Sequence, residues 1–204
     1  MFSSIDVNFI ISIVIAYLLG SISPSTILAK AQGVDIKKEG SGNAGTTNTL
    51  RVLGKKAAII TLLIDVGKGV LAVSLAEMIS GPEAAYVAAL AALAGHVWPI
   101  FFGFKGGKGV ATAFGAVLRL DWRIALIMFG LLVVVVLITK MVSIGSLSVC
   151  VAFPITCWFM HREMVPVSIL MALLVIWKHS DNIKRLINHD ENEVDIGKLL
   201  HGKK

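Results

Sequence analysis

The sequence predicts an all-α, polytopic membrane protein: a single domain over residues 1–204, with seven transmembrane helices, the N-terminus outside and the C-terminus in the cytoplasm. Three observations lead there. The chain is 56% hydrophobic with a mean hydropathy of +0.82, too apolar and too sparsely charged for a soluble domain of this length. Its apolar residues fall into blocks, several of them near the roughly 20 residues that a spanning helix needs. Its Lys and Arg residues gather in alternate connections between those blocks, as cytoplasmic loops do.

Residues 9–29 form the first block. Only Asp6 is charged before Lys30, so the basic start of a cleavable secretory signal is missing and the helix is read as retained. The next connection carries Lys30, Lys37, Lys38, Arg51, Lys55 and Lys56, which places it in the cytoplasm and the N-terminus outside. Blocks 57–79 and 84–102 flank the cation-free turn Ser80-Gly81-Pro82-Glu83, an outer turn, and Lys105 and Lys108 return the chain to the cytoplasm. With only 124–139, 144–160 and 164–177 to follow, the tail bearing Lys178, Lys184, Arg185, Lys198, Lys203 and Lys204 would end outside.

A seventh crossing from Val110 to Leu120 restores the parity. It leaves Arg119, Arg123 and Arg162 outside, Lys68 within a span and every other Lys or Arg in the cytoplasm. As a helix this segment reaches about 16 Å at 1.5 Å per residue, against a hydrocarbon core of about 30 Å. It must be tilted, buried among other helices, or continued by the glycine loop before it.

Within the blocks, Asp65 and Lys68 are three residues apart and share a helical face, which suits a mutually neutralising pair turned toward other helices. Trp98, Trp122, Trp158 and Trp177 lie near block ends, where indoles anchor at the headgroup boundary. Cys150 and Cys157 have a same-face helical spacing inside one block and are read as packed thiols. The net charge of +6 and pI near 9.4 are spread among hydrophobic spans, so the expected partner is the anionic membrane leaflet and not nucleic acid.

Glycine-punctuated polar segments interrupt this lipid-soluble chain. The first runs Gly40-Ser41-Gly42-Asn43-Ala44-Gly45-Thr46-Thr47-Asn48 and on to Arg51. Glycines let backbone N–H groups wrap an oxyanion while the cation supplies opposing charge. The same pattern also fits an N-capped amphipathic loop helix whose Ser and Thr satisfy backbone donors. The second, Lys105-Gly106-Gly107-Lys108-Gly109, precedes a helix whose positive end would face the loop. It is not a Walker loop, because Phe102 stands where that motif needs its first glycine. A plain helix-entry turn is the alternative.

The third segment, His179-Ser180-Asp181-Asn182-Ile183-Lys184-Arg185-Leu186-Ile187, puts His179 and Asn182 on one face, and as a bare pattern it reads as an interfacial amphipathic helix. His96, near the cytoplasmic end of the third block, reads as a packing histidine. No Gly-x-Ser-x-Gly elbow, His-Glu-x-x-His or zinc-spaced His/Cys cluster occurs, so neither metal nor other cofactor is expected. The His-x-x-x-x-Asp signature of many glycerolipid acyltransferases is absent as well.

In order, these motifs resemble the PlsY family of bacterial acyl-phosphate:glycerol-3-phosphate acyltransferases over nearly the whole chain. The resemblance rests on Gly40 to Asn43 with Asn48 and Leu50 to Gly54, on Gly95-His96 with Phe104 to Thr112, on Ser143 to Ser146, and on His179 with Asn182 to Arg185. It implies seven helices in the bacterial cell (inner) membrane with the active site facing the cytoplasm. It implies glycerol 3-phosphate and long-chain acyl phosphate as substrates, and lysophosphatidic acid and inorganic phosphate as products. Residue by residue it puts Ser41, Asn43, Arg51, Lys108, Ser143, His179 and Asn182 in the site, with His179, Asn182 and Ser41 in catalytic roles. Gly42, Thr47, Lys105, Gly106 and Gly107 join them as substrate- and phosphate-binding residues. Ser180, Ala44 and Thr46 depart from the family pattern.

Two other classes use similar parts. A transporter of organic phosphates would place broken helices near mid-membrane, in corresponding positions of two repeats, and no repeat is visible. A lipid-binding scaffold would keep the basic loops without turnover. Protein partners are not legible in the sequence.

Overall fold

The computed structural model describes residues 6–194. Lys198, Lys203 and Lys204, read above as part of a cytoplasmic tail, lie outside the described residues. Among the described residues the chain folds as α1 (Val7–Gly20), α2 (Pro24–Ala31), α3 (Thr46–Leu53), α4 (Lys55–Val97), α5 (Val110–Leu120), α6 (Trp122–Thr139), α7 (Val142–Met160), α8 (Val165–Lys178) and α9 (Ser180–Ile187), with no strand. It divides into two compact units, Met1–Trp122 and Arg123–Lys204.

By length and composition four helical stretches are able to cross a membrane, or five when the bent α8–α9 pair is taken as one span. The stretch Lys55–Phe102 is not one continuous helix, because α4 is broken at Gly81, whose φ of 80° and ψ of −175° are not helical. Only a residue without Cβ takes that conformation cheaply, and Pro82 then starts a new helix from its preferred first position. The two arms run antiparallel: Lys68 and His96, equally far along the chain from Pro82, meet at 3.0 Å. The turn expected at residues 80–83 is therefore present. The short apolar helix expected over 110–120 is present as α5, with the same bounds.

In the first unit, backbones approach closely where side chains are smallest. A Cβ on Gly20 would collide with the Ala92 carbonyl and one on Gly95 with the Tyr17 carbonyl, a reciprocal contact between α1 and α4. Gly69 and Gly115 repeat it between α4 and α5, against Thr112 and Val66. Ala16, Ala72, Ala76, Ala84, Ala88 and Ala92 fill the seam between α1 and the two arms. Lipid offers helices little hydrophobic drive to associate, so close backbone packing carries the association instead.

The first block is not one helix, contrary to the expectation for 9–29. Pro24 has no N–H to give and its ring excludes a helical carbonyl four residues back, so the chain breaks at residues 21–23 and restarts as α2. The break frees the Ile22 carbonyl, which accepts a hydrogen bond from Lys68 Nζ at 2.6 Å. The expected Asp65–Lys68 pair forms at 2.7 Å, with both side chains buried.

In the second unit α7 packs on α8, and Gly145 of α7 sits against Leu132 and Val136 of α6. Cys150 and Cys157 are buried thiols that form no disulfide, as their spacing suggested. Helices α8 and α9 meet at His179 with a bend of 57°. Trp122, Trp158 and Trp177 are exposed near helix ends, as interfacial anchors would be.

The glycine seam gives a direct test. Gly69→Ala should lower the thermal unfolding midpoint in detergent by several degrees, since overpacking a tight contact costs about 1–3 kcal/mol. Gly67→Ala, two residues away with nothing within 4 Å of the added methyl, should leave it unchanged or raise it slightly, as alanine favours helix. Scanning fluorimetry of both variants provides the comparison.

Candidate active site

The first unit brings two of the polar segments together. The loop before α3 is wound around one side chain: Asn48 Oδ1 accepts the Ser41 N–H at 2.8 Å, and Asn48 Nδ2 donates to the Ile36 and Glu39 carbonyls at 3.2 and 3.0 Å. Asn48 is 2% exposed. Gly40 and Gly42 have φ of +60° and +68°, and a Cβ on Gly40 would strike Asn48 Oδ1, so glycine is required for the wrap. The result presents the Ser41 side chain at the exposed tip, with Asn43 half-buried below it. Thr47 and Arg51 lie four residues apart on α3 and so share a face. The N-terminus of α3 has no side-chain cap, and the adjacent buried Thr46 Oγ1 makes no hydrogen bond.

The glycine loop is built differently from the simple anion cradle its composition suggests. The Gly106 N–H donates to the Val97 carbonyl at 3.1 Å and the Gly107 N–H to the His96 carbonyl at 3.2 Å. Those two amides therefore close off the C-terminal carbonyls of α4. What the glycines supply is proximity: a Cβ on Gly106 would strike the His96 carbonyl, and one on Gly107 would strike both the Ala44 carbonyl and His96 Nε2. The first and second polar segments abut at Gly107. Gly109, at φ +83°, then turns the chain into α5, whose N-terminus has no side-chain cap. Lys108 is half-buried in this turn and Lys105 is exposed.

Lys37, just before the first segment, ties it to the chain entering the second, donating from Nζ to the Phe102 carbonyl at 3.0 Å. Burial lowers its proton affinity below the usual lysine range; Asp35 opposes that shift, and the charges of Lys105 and Lys30 add to it. Several cations are thus held near one another on this side of the first unit, the electrostatic setting that favours an anion.

The second unit organises the remaining candidates around one carboxylate. Asn182 Nδ2 donates to Glu191 Oε1 at 2.7 Å and Arg185 Nε to Glu191 Oε2 at 2.8 Å. The segment bearing Glu191 is drawn back by the Val194 N–H, which donates to the Lys140 carbonyl at 2.7 Å. Burial alone would raise the Glu191 pKa. Hydrogen bonds from Asn182 and Arg185, with the Arg185 charge, outweigh it and hold the carboxyl below the usual range. Ser143 Oγ, buried in the first turn of α7, faces this group but is not aligned for a hydrogen bond to it. It is the hydroxyl of the cluster with bonding capacity to spare.

His179 is 2% exposed and its Nδ1 lies 2.8 Å from the Val175 carbonyl. A carbonyl only accepts, so Nδ1 carries a proton. In the neutral ring Nε2 is then a lone-pair acceptor, and it becomes a donor only in the imidazolium.

Asn48, Lys37 and Glu191 organise the segments around the candidate residues, and sequence reasoning gave them no role in the site. Asn48 stands in the first motif as quoted, so a signal was there. Glu191 lies beyond the amphipathic pattern of α9, and its only mark is a carboxylate following a run of cations.

Residues 10–189 match the family model described as glycerol-3-phosphate acyltransferase. Similar proteins carrying that name include those of Shouchella clausii, 46% identical over 92% of this chain and 97% of its own length, and Clostridioides difficile, 45% identical over 92% and 96%. That of Prochlorococcus marinus is 41% identical over 91% of this chain and 98% of its own. The crystal structure of PlsY, an integral membrane glycerol 3-phosphate acyltransferase, in its glycerol 3-phosphate form superposes with a TM-score of 0.89 at 34% identity, covering 95% of this chain and 98% of that one. Its lysophosphatidic acid form gives 0.86 at 34% identity. With a family model matched across most of its length and relatives of this identity at nearly full coverage, the chain belongs to the PlsY family of glycerol-3-phosphate acyltransferases.

Proposed function

We propose that the whole chain works as one acyltransferase domain, moving a fatty acyl group from acyl phosphate to the sn-1 hydroxyl of glycerol 3-phosphate. This would be the first acylation step of phospholipid synthesis, carried out in the bacterial inner membrane with the site open to the cytoplasm. The observation that carries the reading is the junction at Gly107, where the Ser41 loop and the glycine loop abut beside an uncapped helix N-terminus. It supports recognition of phosphate, which both substrates carry. The solved relative's glycerol 3-phosphate and lysophosphatidic acid forms correspond to the acceptor and the product.

In this reading Ser41, Gly42, Asn43, Thr47, Arg51, Lys105, Gly106, Gly107 and Lys108 bind substrate phosphate. Gly106 and Gly107 act by allowing close approach, since their amides are already engaged. Ser143, His179 and Asn182 complete the set, with Ser41, His179 and Asn182 catalytic and no metal required. The glycerol hydroxyl oxygen attacks the acyl carbonyl carbon, the bond from that carbon to the phosphate oxygen breaks, and inorganic phosphate leaves. The hydroxyl proton passes to a phosphate oxygen, whose second pKa near 6 makes it a competent acceptor. An acyl phosphate is already activated, so alignment and charge neutralisation do the work without a covalent nucleophile. His179 orients substrate through Nε2.

The topology proposed is seven crossings with both termini as the charge pattern sets them. The supporting elements are α1, the two arms of α4, and α5 to α8. Cysteines placed at Lys38 and Lys184, in a background lacking Cys150 and Cys157, should be labelled only from the cytoplasmic side and one at Glu83 only from outside. Labelling of position 184 in intact cells by an impermeant reagent would contradict it.

Phosphate release from palmitoyl phosphate should depend on added glycerol 3-phosphate. Release that ignores the acceptor, or glycerol 3-phosphate uptake without release, would favour a hydrolase or a transporter. Arg51→Ala and Lys108→Ala should each lose about 1.5–3 kcal/mol of transition-state stabilisation, roughly ten- to more than hundredfold in kcat/KM, while Lys203→Ala stays near wild type. His179→Asn and His179→Gln should be slow yet keep the substrate-phosphate pH profile. Loss of an acidic limb in both variants would instead make His179 the base.

A further inference from the structure

One cluster of buried polar groups lies outside the residues assigned to substrate. Asp65, Lys68, His96 and Thr112, from both arms of α4 and from α5, are each at least nine-tenths buried and converge on one ring nitrogen. His96 Nδ1 lies 3.0 Å from Lys68 Nζ, 3.1 Å from Thr112 Oγ1 and 3.3 Å from Asp65 Oδ1. Lys68 Nζ also reaches Asp65 Oδ1 at 2.7 Å and the Ile22 carbonyl at 2.6 Å. Paired in charge with Asp65, the lysine is an ammonium that only donates, and it donates to the Ile22 carbonyl and to His96 Nδ1.

Resting on the activity proposed above, we propose that His96 is a positioning residue for the phosphate-binding glycine loop: the Lys68 ammonium, itself paired with Asp65, donates to Nδ1, which turns Nε2–H toward Gly107 and Ala44. The opposite tautomer would aim an Nδ1–H at the Lys68 ammonium across 3.0 Å, positive pole to positive pole. With Nδ1 accepting, the single proton of the neutral ring sits on Nε2. That nitrogen borders the space a Gly107 Cβ would fill, and the Ala44 carbonyl borders it too. The backbone of the same residue grips the loop as well, since the His96 carbonyl accepts the Gly107 N–H at 3.2 Å.

His96 thus sets the separation between the glycine loop and the Ser41 loop, and hence the fit of one phosphate between them. Its loss should appear in the binding of glycerol 3-phosphate more than in the chemical step. A merely structural histidine would not split the kinetic constants in that way.

Two substitutions separate the two ring nitrogens. Asparagine places its amide near the Nδ1 position and stops short of the loop, whereas glutamine reaches the Nε2 position with a donor. His96→Asn should raise the KM for glycerol 3-phosphate about tenfold, the scale of one lost hydrogen bond, with kcat within about twofold and the KM for palmitoyl phosphate unchanged. His96→Gln should recover most of that loss. Gly107→Ala should be non-additive with each, because both changes act on one space.

Equal KM values for His96→Asn, His96→Gln and wild type, or an additive cycle, would overturn the assignment. If His96→Asn does not fold, judged by thermal unfolding, the His96→Gln and Gly107→Ala cycle decides alone. Wild type assayed alongside keeps the two readings apart: a wild-type protein that fails to acylate glycerol 3-phosphate overturns the activity and this assignment with it, whereas an active wild type with unaltered variants overturns this assignment only.

Discussion

A lysine ammonium inside a membrane protein has to be surrounded by acceptors, and in the first unit that requirement fixes most of the architecture. Placing an unpaired charge at that depth is expensive, and Lys68 meets the demand with a carboxylate, a backbone carbonyl and an imidazole. Each comes from a different place: Asp65 from the same arm of α4, Ile22 from the break between α1 and α2, His96 from the opposite arm. The break at residues 21–23 is tolerable because its freed carbonyl has this partner. The antiparallel closure of α4 about Gly81 brings His96 into range. Thr112 then joins the start of α5 to the same group, and Gly106 and Gly107 are seated on the carbonyls that end α4.

The second unit answers the same problem with the opposite charge. Glu191 is a carboxylate drawn into the fold, and Asn182 and Arg185 donate to it from one face of α9. Their hydrogen bonds hold the carboxyl ionised below the usual range against the opposing effect of burial. Asn182 is thereby fixed in orientation. In both units the candidate site residues are held by neighbouring buried polar groups, which is how a site is kept to a tight tolerance.

Much of this was legible in the sequence because membrane insertion imposes coarse rules. The α4 turn followed from Gly81-Pro82 in a cation-free gap, α5 from charge parity alone, and the Asp65–Lys68 pair from a three-residue spacing. The motif residues were legible through their order and their glycines. The break after α1 was not, because Ser21 to Ser23 keep the block apolar enough for a continuous helix and only Pro24 marks the restart. The use of the Gly106 and Gly107 amides was hidden, since composition shows that a backbone can approach an anion but not that helix carbonyls have already claimed it. His96 read as a packing residue because its partners lie 28 and 16 residues away in sequence, and Glu191 escaped because its partners sit on a helix that also explains itself as amphipathic.

In the proposal made above, the buried charge pair orients His96 and the glycine loop, with stability a secondary result. Removing one member of a buried pair strands the other and is strongly destabilising, whereas replacing both with apolar residues is often neutral. The most direct measurement compares thermal unfolding and the glycerol 3-phosphate KM in Asp65→Leu, Lys68→Met and the double variant. The double variant should regain most of the stability lost by either single change and keep a raised KM. A double variant with wild-type stability and a wild-type KM would contradict it.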